Sequence, residues 1–264
     1  MKIHELHYSN TNTYLIEGES GKLLFDTGWA GTFPAFCSAM GELGIPVQDI
    51  QFILISHFHP DHMGIAQEIA DQGATIMLPE LQRAYVHMAD SVFKKEGKSF
   101  IPIRDEEVRF FSVEDGRSIL KDIGIDGEII PTPGHSDDSI SLSLDDGSLF
   151  VGDLNPLYEL ELHKGTGIEE SWNRLLRMNP KRVYYGHARS ADISSAASLS
   201  VPDSTYYSLV SRIMKLVDKG CDLAKIQKKT GADIEFIEDV TRMYLTHQNI
   251  GVQGILDRLE IKNR

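Results

Sequence analysis

One stretch decides the fold of this chain: Ile53-Leu54-Ile55-Ser56-His57-Phe58-His59-Pro60-Asp61-His62-Met63-Gly64. The apolar run from Phe52 to Ile55 is typical of a buried strand, and the mixed run Ile65 to Gln72 predicts a helix. The histidines and the aspartate between them are therefore expected on a loop after the strand's carboxyl end. Imidazoles and carboxylates crowded on such a loop are metal ligands by type. A solvated polar loop is the alternative, but the spacing of these residues favours metal binding.

Four shorter motifs accompany this stretch. They are Asp26-Thr27-Gly28, Thr132-Pro133-Gly134-His135-Ser136, Val151-Gly152-Asp153 and Tyr185-Gly186-His187. Together with His-x-His-x-Asp-His, they stand in the order found in the metallo-β-lactamase superfamily, which this chain resembles from about Thr13 to His187. The resemblance implies an α/β fold, an αββα sandwich of two mixed β-sheets flanked by helices. It implies a catalytic domain that we place at residues 1–200, before a C-terminal extension at 201–264.

The same resemblance implies a binuclear metal site. Its implied ligands are His57, His59 and His135 for one metal, Asp61, His62 and His187 for the second, and Asp153 as the bridge between them. Asp26 would support a ligand histidine from behind. The cofactors are expected to be two divalent metal ions. Nitrogen and oxygen ligands suit Zn²⁺ best and leave Fe or Mn open.

The implied reaction is hydrolysis of a small-molecule ester, lactone or thioester by a hydroxide that bridges the two metals. Asp61 would orient that hydroxide and could pass a proton to the leaving group. A serine nucleophile elbow, Gly-x-Ser-x-Gly, does not occur, and neither Cys37 nor Cys221 neighbours a histidine. The nucleophile is therefore expected to come from water.

Departures from the motifs of particular branches of the family narrow the range of possible substrates. The bridge is Asp153 and not a cysteine, so the chain does not closely resemble the antibiotic-cleaving enzymes. His59 is not replaced by glutamate, as it is in the oxygen-reducing diiron proteins. Acyl-homoserine lactonases carry a tyrosine where this chain has Pro156, and Tyr158 is the candidate to take its place as a substrate contact. No basic cluster suited to the carboxylates of glutathione is evident.

Two other functions stay open at this point. One is an iron-dependent oxidoreductase of the sulfur dioxygenase type, which would need fewer ligands than the motifs offer. The other is a non-catalytic metal-binding regulator that uses the scaffold without turnover. The complete ligand set favours the hydrolase over both.

The composition and net charge of the chain limit the kinds of partner it is expected to bind. The chain has 264 residues, is 41% hydrophobic and carries a formal net charge of -13. So acidic a balance argues against nucleic acid and against an anionic membrane surface. Two cysteines, and an amino terminus without an apolar leader, predict a cytoplasmic protein that acts on a small molecule.

The segments between and after the motifs are predicted from their own patterns. The spacing of Leu81, Tyr85, Met88 and Val92 predicts an amphipathic helix over Pro79–Lys95. Three segments are predicted to be irregular: the long loop Glu96–Glu107, the loop Asn155–Thr166 and the linker Ala188–Ser204. Helices are predicted over Ser204–Lys219, Leu223–Lys229, Ile234–Thr246 and Val252–Leu259.

The role of these C-terminal helices has two interpretations. We expect them to cap the catalytic domain or to form a homodimer. A helix-turn-helix around Gly231 that binds nucleic acid is the weaker interpretation, because acidic residues balance its lysines.

Overall fold

Two mixed β-sheets pack face to face at the centre of the chain. The structure is a computed structural model, and it describes residues 1–97, 99–193, 205–246 and 250–259. The strands are β1 (Lys2–Leu6), β2 (Thr13–Glu17), β3 (Lys22–Phe25), β4 (Phe52–Leu54), β5 (Thr75–Pro79), β6 (Val108–Phe111), β7 (Gly127–Pro131), β8 (Ile140–Leu144), β9 (Ser148–Phe150), β10 (Arg182–Tyr184) and β11 (Ala191–Asp192). The α-helices are α1 (Phe33–Glu42), α2 (Pro60–Met63), α3 (Ala66–Ala70), α4 (Asp90–Glu96), α5 (Gly116–Asp122), α6 (Gly167–Leu176), α7 (Thr205–Asp218), α8 (Leu223–Thr230), α9 (Ile234–Thr246) and α10 (Val252–Arg258).

The order of the strands determines where their ends meet. The first sheet has the order β1-β2-β3-β4-β5-β6, antiparallel from β1 to β3 and parallel from β3 to β6. The second sheet has the order β11-β10-β9-β8-β7, in which β9 and β10 are parallel and the other described pairs are antiparallel. The carboxyl ends of adjacent parallel strands lie at one edge of a sheet, where ligands commonly bind. Each sheet brings predicted metal ligands to that edge.

Three apolar layers hold the sandwich together. The layer between the sheets includes Tyr14, Phe25 and Phe150, whose rings meet across the interface. The outer face of the first sheet is covered by α1, α3 and α4, and the outer face of the second by α6. On that second face Trp172 is fully buried. These layers confirm the predicted αββα sandwich.

The predicted helix over Pro79–Lys95 is wrong as a single element. A 3₁₀ helix spans Glu80–Tyr85, turns follow, and α4 begins only at Asp90. The buried face is also shifted by one residue from the predicted one, since Gln82, Val86, Ala89 and Phe93 are buried while Met88 is exposed. The face is shifted because the side chain of Gln82 points inward. There it donates hydrogen bonds to backbone carbonyl oxygens beneath the motif loop.

All three segments predicted to be irregular contain some regular structure. Glu96–Glu107 ends in a 3₁₀ helix at Asp105–Glu107. Asn155–Thr166 includes a 3₁₀ helix at Leu157–His163. Within the predicted linker Ala188–Ser204, Ala191–Asp192 form β11 against β10, and residues 194–204 lie outside the described part of the chain. The proposed domain boundary at residues 200 and 201 falls in that same gap.

The C-terminal helices have an apolar core of their own. Helices α7 to α10 bury residues that include Val210, Ile226, Val240 and Ile255 against one another. The ring of Tyr158, from the 3₁₀ helix Leu157–His163, packs against this core. The predicted helical extension is thus confirmed, and the described residues pack on the sandwich. No helix within those residues is both long and apolar enough to cross a membrane.

Candidate metal centre

The motif stretch folds as a strand, a short loop and one helical turn. Strand β4 ends at Leu54, His57 and His59 lie on the loop, and α2 carries Asp61 and His62. The prediction that all four residues lie on a loop is therefore wrong for the last two. Pro60 explains the difference, because its fixed φ and missing N–H suit the first position of a helix.

The structure brings the seven predicted ligands together in two groups. Within each group one ligand atom per residue lies within 4.8 Å of the others. The groups are His57, His59, His135 and Asp153, and Asp61, His62, Asp153 and His187. The carboxylate of Asp153 is common to both.

The two oxygens of Asp153 face different groups. Its Oδ2 lies 3.8 Å from His57 Nε2 and 3.4 Å from His135 Nε2. Its Oδ1 lies 3.1 Å from His62 Nε2 and 3.5 Å from His187 Nε2. A carboxylate in this orientation can bridge two cations, with one oxygen for each.

Several buried atoms in these groups have no hydrogen-bond partner in the described residues. They are His57 Nε2, His62 Nε2 and Asp153 Oδ1. A buried polar atom left without a partner is costly, so native proteins almost always satisfy it. One coordinated cation in each group would satisfy all three, and the nitrogen and oxygen donors fit Zn²⁺, Fe or Mn. The residues present therefore fit a binuclear metal site.

Asp26 lies beside His62, a predicted ligand of the second group. Strand β3 runs parallel to β4, so the residue after β3 lies beside Ser56. Asp26 accepts hydrogen bonds from the backbone N–H of Ser56 at 2.7 Å and from its hydroxyl at 2.8 Å. Its Oδ2 also lies 2.8 Å from His62 Nδ1. A proton on that nitrogen leaves Nε2 free to face a metal.

Sequence reasoning missed other supports of the motif loop. Asp138, which is buried, accepts a hydrogen bond from the backbone N–H of Phe58 at 2.7 Å. Gln82 donates to the carbonyl oxygens of Ile55 at 2.9 Å and Asp138 at 3.1 Å. Thr11 donates to Asp61 Oδ2 at 3.1 Å. The position of Asp138 after the His135 motif was the one available signal, because the other two residues lie outside every motif.

A glycine gives the last ligand motif its shape. A Cβ on Gly186 would lie 2.6 Å from Asp153 Oδ1 and 2.9 Å from the His62 ring. Any side chain at this position would therefore displace ligands of the second group. This close approach explains why a glycine precedes His187.

Burial keeps the histidines of the first group neutral. It lowers the pKa of His57 well below the ordinary value and also lowers that of His59. Burial lowers the pKa of His135 to about 4, against the opposing charge of Asp153 and with smaller contributions from neighbouring histidines and Arg258. Neutral imidazole is the form that binds a metal.

In the second group, the negative charges of the carboxylates set the direction in which the histidine pKa values shift. Burial alone would lower the pKa of both histidines, but Asp153 and Asp61 outweigh it. The pKa of His62 is raised well above its ordinary value, and that of His187 is raised to about 9. Burial would raise the pKa of both aspartates, but these histidines lower it instead. A cation bound here would release histidine protons and replace them as partner of the carboxylates.

A cavity of about 310 Å³ opens onto the first group and reaches the C-terminal helices. One wall includes His59, His135, Asp153 and His187, and the opposite wall includes residues of α10. The lining contributed by the C-terminal segment is Thr246, Ile250, Gly251, Gln253, Gly254 and Arg258. The C-terminal segment thus completes the cavity, one of the two roles predicted for it.

Tyr158, the predicted substrate contact, is not among the residues that line this cavity. Its ring packs on Tyr207, with centroids 5.7 Å apart, and its hydroxyl lies 3.3 Å from Gln253 Oε1. A larger cavity, of about 580 Å³, lies among the C-terminal helices and contains none of the seven predicted ligands.

Comparison with known proteins places this geometry in a family. Residues 8–187, more than half of the chain, match the family model described as the metallo-β-lactamase superfamily. A β-lactamase-like protein 2 homolog of Caenorhabditis elegans is 30% identical over 190 residues, covering 69% of this chain and 57% of that protein. The homolog in Drosophila melanogaster is 26% identical over 188 residues, covering 67% and 58%. The chain thus spans less than two thirds of the length of these relatives.

Solved structures share the fold at low identity. A metallo-β-lactamase family protein of Thermus thermophilus superposes with a TM-score of 0.54 at 19% identity, covering 98% of this chain and 91% of that one. TTHA1623, solved in a di-iron-bound form, superposes with a TM-score of 0.54 at 22% identity, covering 73% and 94%. Taken with the match over residues 8–187, these findings show that the chain belongs to the metallo-β-lactamase superfamily.

Proposed function

We propose that the chain is a hydrolase that uses two divalent metal ions to cleave a small-molecule ester, lactone or thioester. The single observation that carries the proposal is the orientation of Asp153, whose oxygens face separate groups of histidines. When bound, two such ions supply a water of lowered pKa and polarise the substrate carbonyl. Zn²⁺ is our first choice, and iron is kept as a second because TTHA1623 was solved in a di-iron-bound form.

Each residue has a role in this proposal. His57, His59 and His135 would hold one ion, Asp61, His62 and His187 would hold the other, and Asp153 would serve both. Asp26 holds His62 in the tautomer that presents Nε2.

Asp61 also orients the attacking water. Its pKa is lowered by the neighbouring histidines, against the effect of burial, so it stays an acceptor of hydrogen bonds. Thr11 donates to Asp61 Oδ2 and restrains the direction of that oxygen. After attack, Asp61 can pass the proton from water to the departing alkoxide or thiolate.

The division of labour along the chain is part of the proposal. Residues 1–200 form the catalytic unit, and residues 201–264 form the helical extension that closes the cavity. An assembly of two copies remains a prediction, which the elution volume of the purified protein would test.

The proposal is tested with a panel of lactones, aryl esters, thioesters, phosphodiesters and β-lactams. Protein loaded with Zn²⁺, Mn²⁺ or Fe²⁺ is assayed in parallel for hydrolysis and for oxygen uptake. We expect turnover of members of the first three classes without oxygen uptake. Oxygen consumption with one iron per chain would support the sulfur dioxygenase instead. Metal binding with no turnover of any substrate would support a regulator.

A further inference from the structure

Helix α10 brings a positive charge to a cavity whose other charged lining residues are predicted metal ligands. The lining combines the histidines and Asp153 on one side with Arg258 on the other. Arg258 stands in the last turn of α10 and is exposed. A guanidinium is permanently charged and presents its donors as a planar fork that matches a carboxylate.

The guanidinium of Arg258 is folded back along its own helix. Its Nη1 donates to the carbonyl oxygen of Gly254, one turn earlier, at 3.0 Å. A Cβ built on Gly254 would lie 3.5 Å from the same nitrogen. Because Gly254 also lines the cavity, this contact holds the exposed guanidinium beside the cavity wall.

Arg258 has no acidic partner in the described part of the chain. Some described arginines, such as Arg104, Arg117 and Arg182, face a carboxylate within 4.0 Å, while Arg177 does not. Arg258 forms no such pair there, although the chain carries a net charge of -13. A cation at a cavity wall that has no carboxylate partner among the described residues is suited, in so acidic a protein, to an anionic ligand.

We propose that Arg258 binds a carboxylate of the substrate, so that the preferred substrate is a small ester or thioester carrying a free carboxylate. The reaction in this inference rests on the proposed function, but the test of ligand binding does not depend on that reaction. The cavity, at about 310 Å³, lies at the lower end of the range for small-molecule sites, roughly 300–1,000 Å³. Such a cavity suits a compact substrate that spans from the metal ligands to Arg258.

The opposing interpretation is structural. An arginine in the last turn of a helix interacts favourably with the helix dipole, and its stem can cover apolar surface. Arg177 offers a matched control, because it also ends its helix region and donates to the carbonyl oxygen one turn earlier, that of Asn173, at 3.0 Å. Arg177 is not among the residues lining the cavity.

The experiment measures binding first. Zn²⁺-loaded wild type, Arg258→Met and Arg177→Met are titrated calorimetrically with 5-(phenylthio)pentanoate and with its neutral primary amide, neither of which contains an ester or thioester. We expect the wild type and Arg177→Met to prefer the carboxylate. In Arg258→Met that preference should fall roughly tenfold to a hundredfold, the effect of losing a charge-assisted hydrogen bond. Arg258→Lys should retain part of it, and the amide should bind all variants alike.

Two outcomes would overturn the proposal. Equal preference for the carboxylate in wild type and Arg258→Met would show that the anion binds the metals instead. A parallel loss for carboxylate and amide, or in Arg177→Met as well, would show a structural role.

Hydrolysis of the S-phenyl monothioester of glutaric acid and of its amide counterpart is then compared. We expect Arg258→Met to raise KM for the acid alone. If neither compound is cleaved by any variant, the proposed hydrolase fails for this class, while the titration still decides the role of Arg258.

Discussion

The two walls of the metal-site cavity are built in different ways. The ligand wall stands at the ends of sheet strands, and its side chains are held by buried partners such as Asp26, Ser56 and Asp138. The α10 wall belongs to a helical segment with a separate apolar core, and its charged residue, Arg258, is exposed. In the proposed function, this difference assigns the metal chemistry to the sandwich and the choice of substrate to the helical segment.

One buried carboxylate joins the two walls. Glu159 is fully buried and its Oε1 accepts hydrogen bonds from the backbone N–H of Gln253 at 2.9 Å and the hydroxyl of Tyr207 at 3.0 Å. Its Oε2 accepts from Asn155 Nδ2 at 3.3 Å. A Cβ on Gly251 would lie 1.9 Å from that oxygen, so a glycine is required where α10 approaches. The donors come from both walls, and Glu159 therefore sets their spacing.

The largest effect is expected on the ligand wall, from Asp153→Ala. Removal of the bridge should lower turnover by about a thousandfold or more and reduce bound metal from about two ions per chain to about one. Metal analysis and steady-state kinetics measure both. Asp145→Ala, which removes an exposed carboxylate paired with Arg117, is the control and should change neither. Full activity in Asp153→Ala would refute the bridging role.

The link between the walls is tested by Glu159→Ala. This change leaves the donors on Gln253, Tyr207 and Asn155 without their acceptor, so the free energy of unfolding should fall by about 2–4 kcal/mol. Urea unfolding measures the loss. Metal content should be preserved, because none of the seven predicted ligands is among the hydrogen-bond partners of Glu159. A loss below about 0.5 kcal/mol would show that the walls are joined elsewhere.

The carboxyl group of Glu159 also predicts how the stability of the fold changes with pH. Burial raises the pKa of Glu159, although its hydrogen-bond donors oppose the shift. An acid whose pKa is raised by folding favours the folded state below its unfolded pKa and loses that contribution as pH rises through the folded pKa. The stability of the wild type relative to Glu159→Gln should therefore fall as pH rises above about 4.5. A difference that grows with pH would contradict this assignment.

A smaller effect is expected from Asp26→Asn. Asparagine tolerates the left-handed backbone of this position, where φ is 64°, so the fold should survive. Loss of the carboxylate behind His62 should weaken metal binding roughly tenfold to a hundredfold. Competition with a fluorescent chelator measures the change, with the exposed Asp49→Asn as control. Unchanged affinity would show that the hydrogen bond does not orient the ligand.

The smallest effect is expected from Tyr158→Phe. The ring that packs on Tyr207 is kept and one hydroxyl contact to Gln253 is lost. KM and turnover should stay within about twofold, and unfolding should change by less than about 1 kcal/mol. A large rise in KM would restore Tyr158 as a substrate contact and place it in the cavity during turnover.

The strand pattern predicted a metal-binding loop after β4, and the resemblance to the family supplied the full ligand set and the role of Asp26. In the structure, parallel pairing of β3 and β4 places Asp26 beside that loop. The α10 wall could not be predicted in this way. Amphipathic spacing gives the helices but not the surface on which they pack, so the approach of Arg258 to the ligands has no local signal. Gln82 was missed for a similar reason, since a glutamine in an apolar pattern indicates an exposed position.

The most direct test of the central claim is hydrolysis measured against metal equivalents. Metal-depleted protein is titrated with Zn²⁺, and bound metal and the rate on a responsive thioester are followed together. We predict that the rate reaches its plateau at about two ions per chain, that a chelator abolishes it and that added metal restores it. A full rate at one ion per chain, or turnover by protein confirmed free of metal, would contradict the binuclear mechanism.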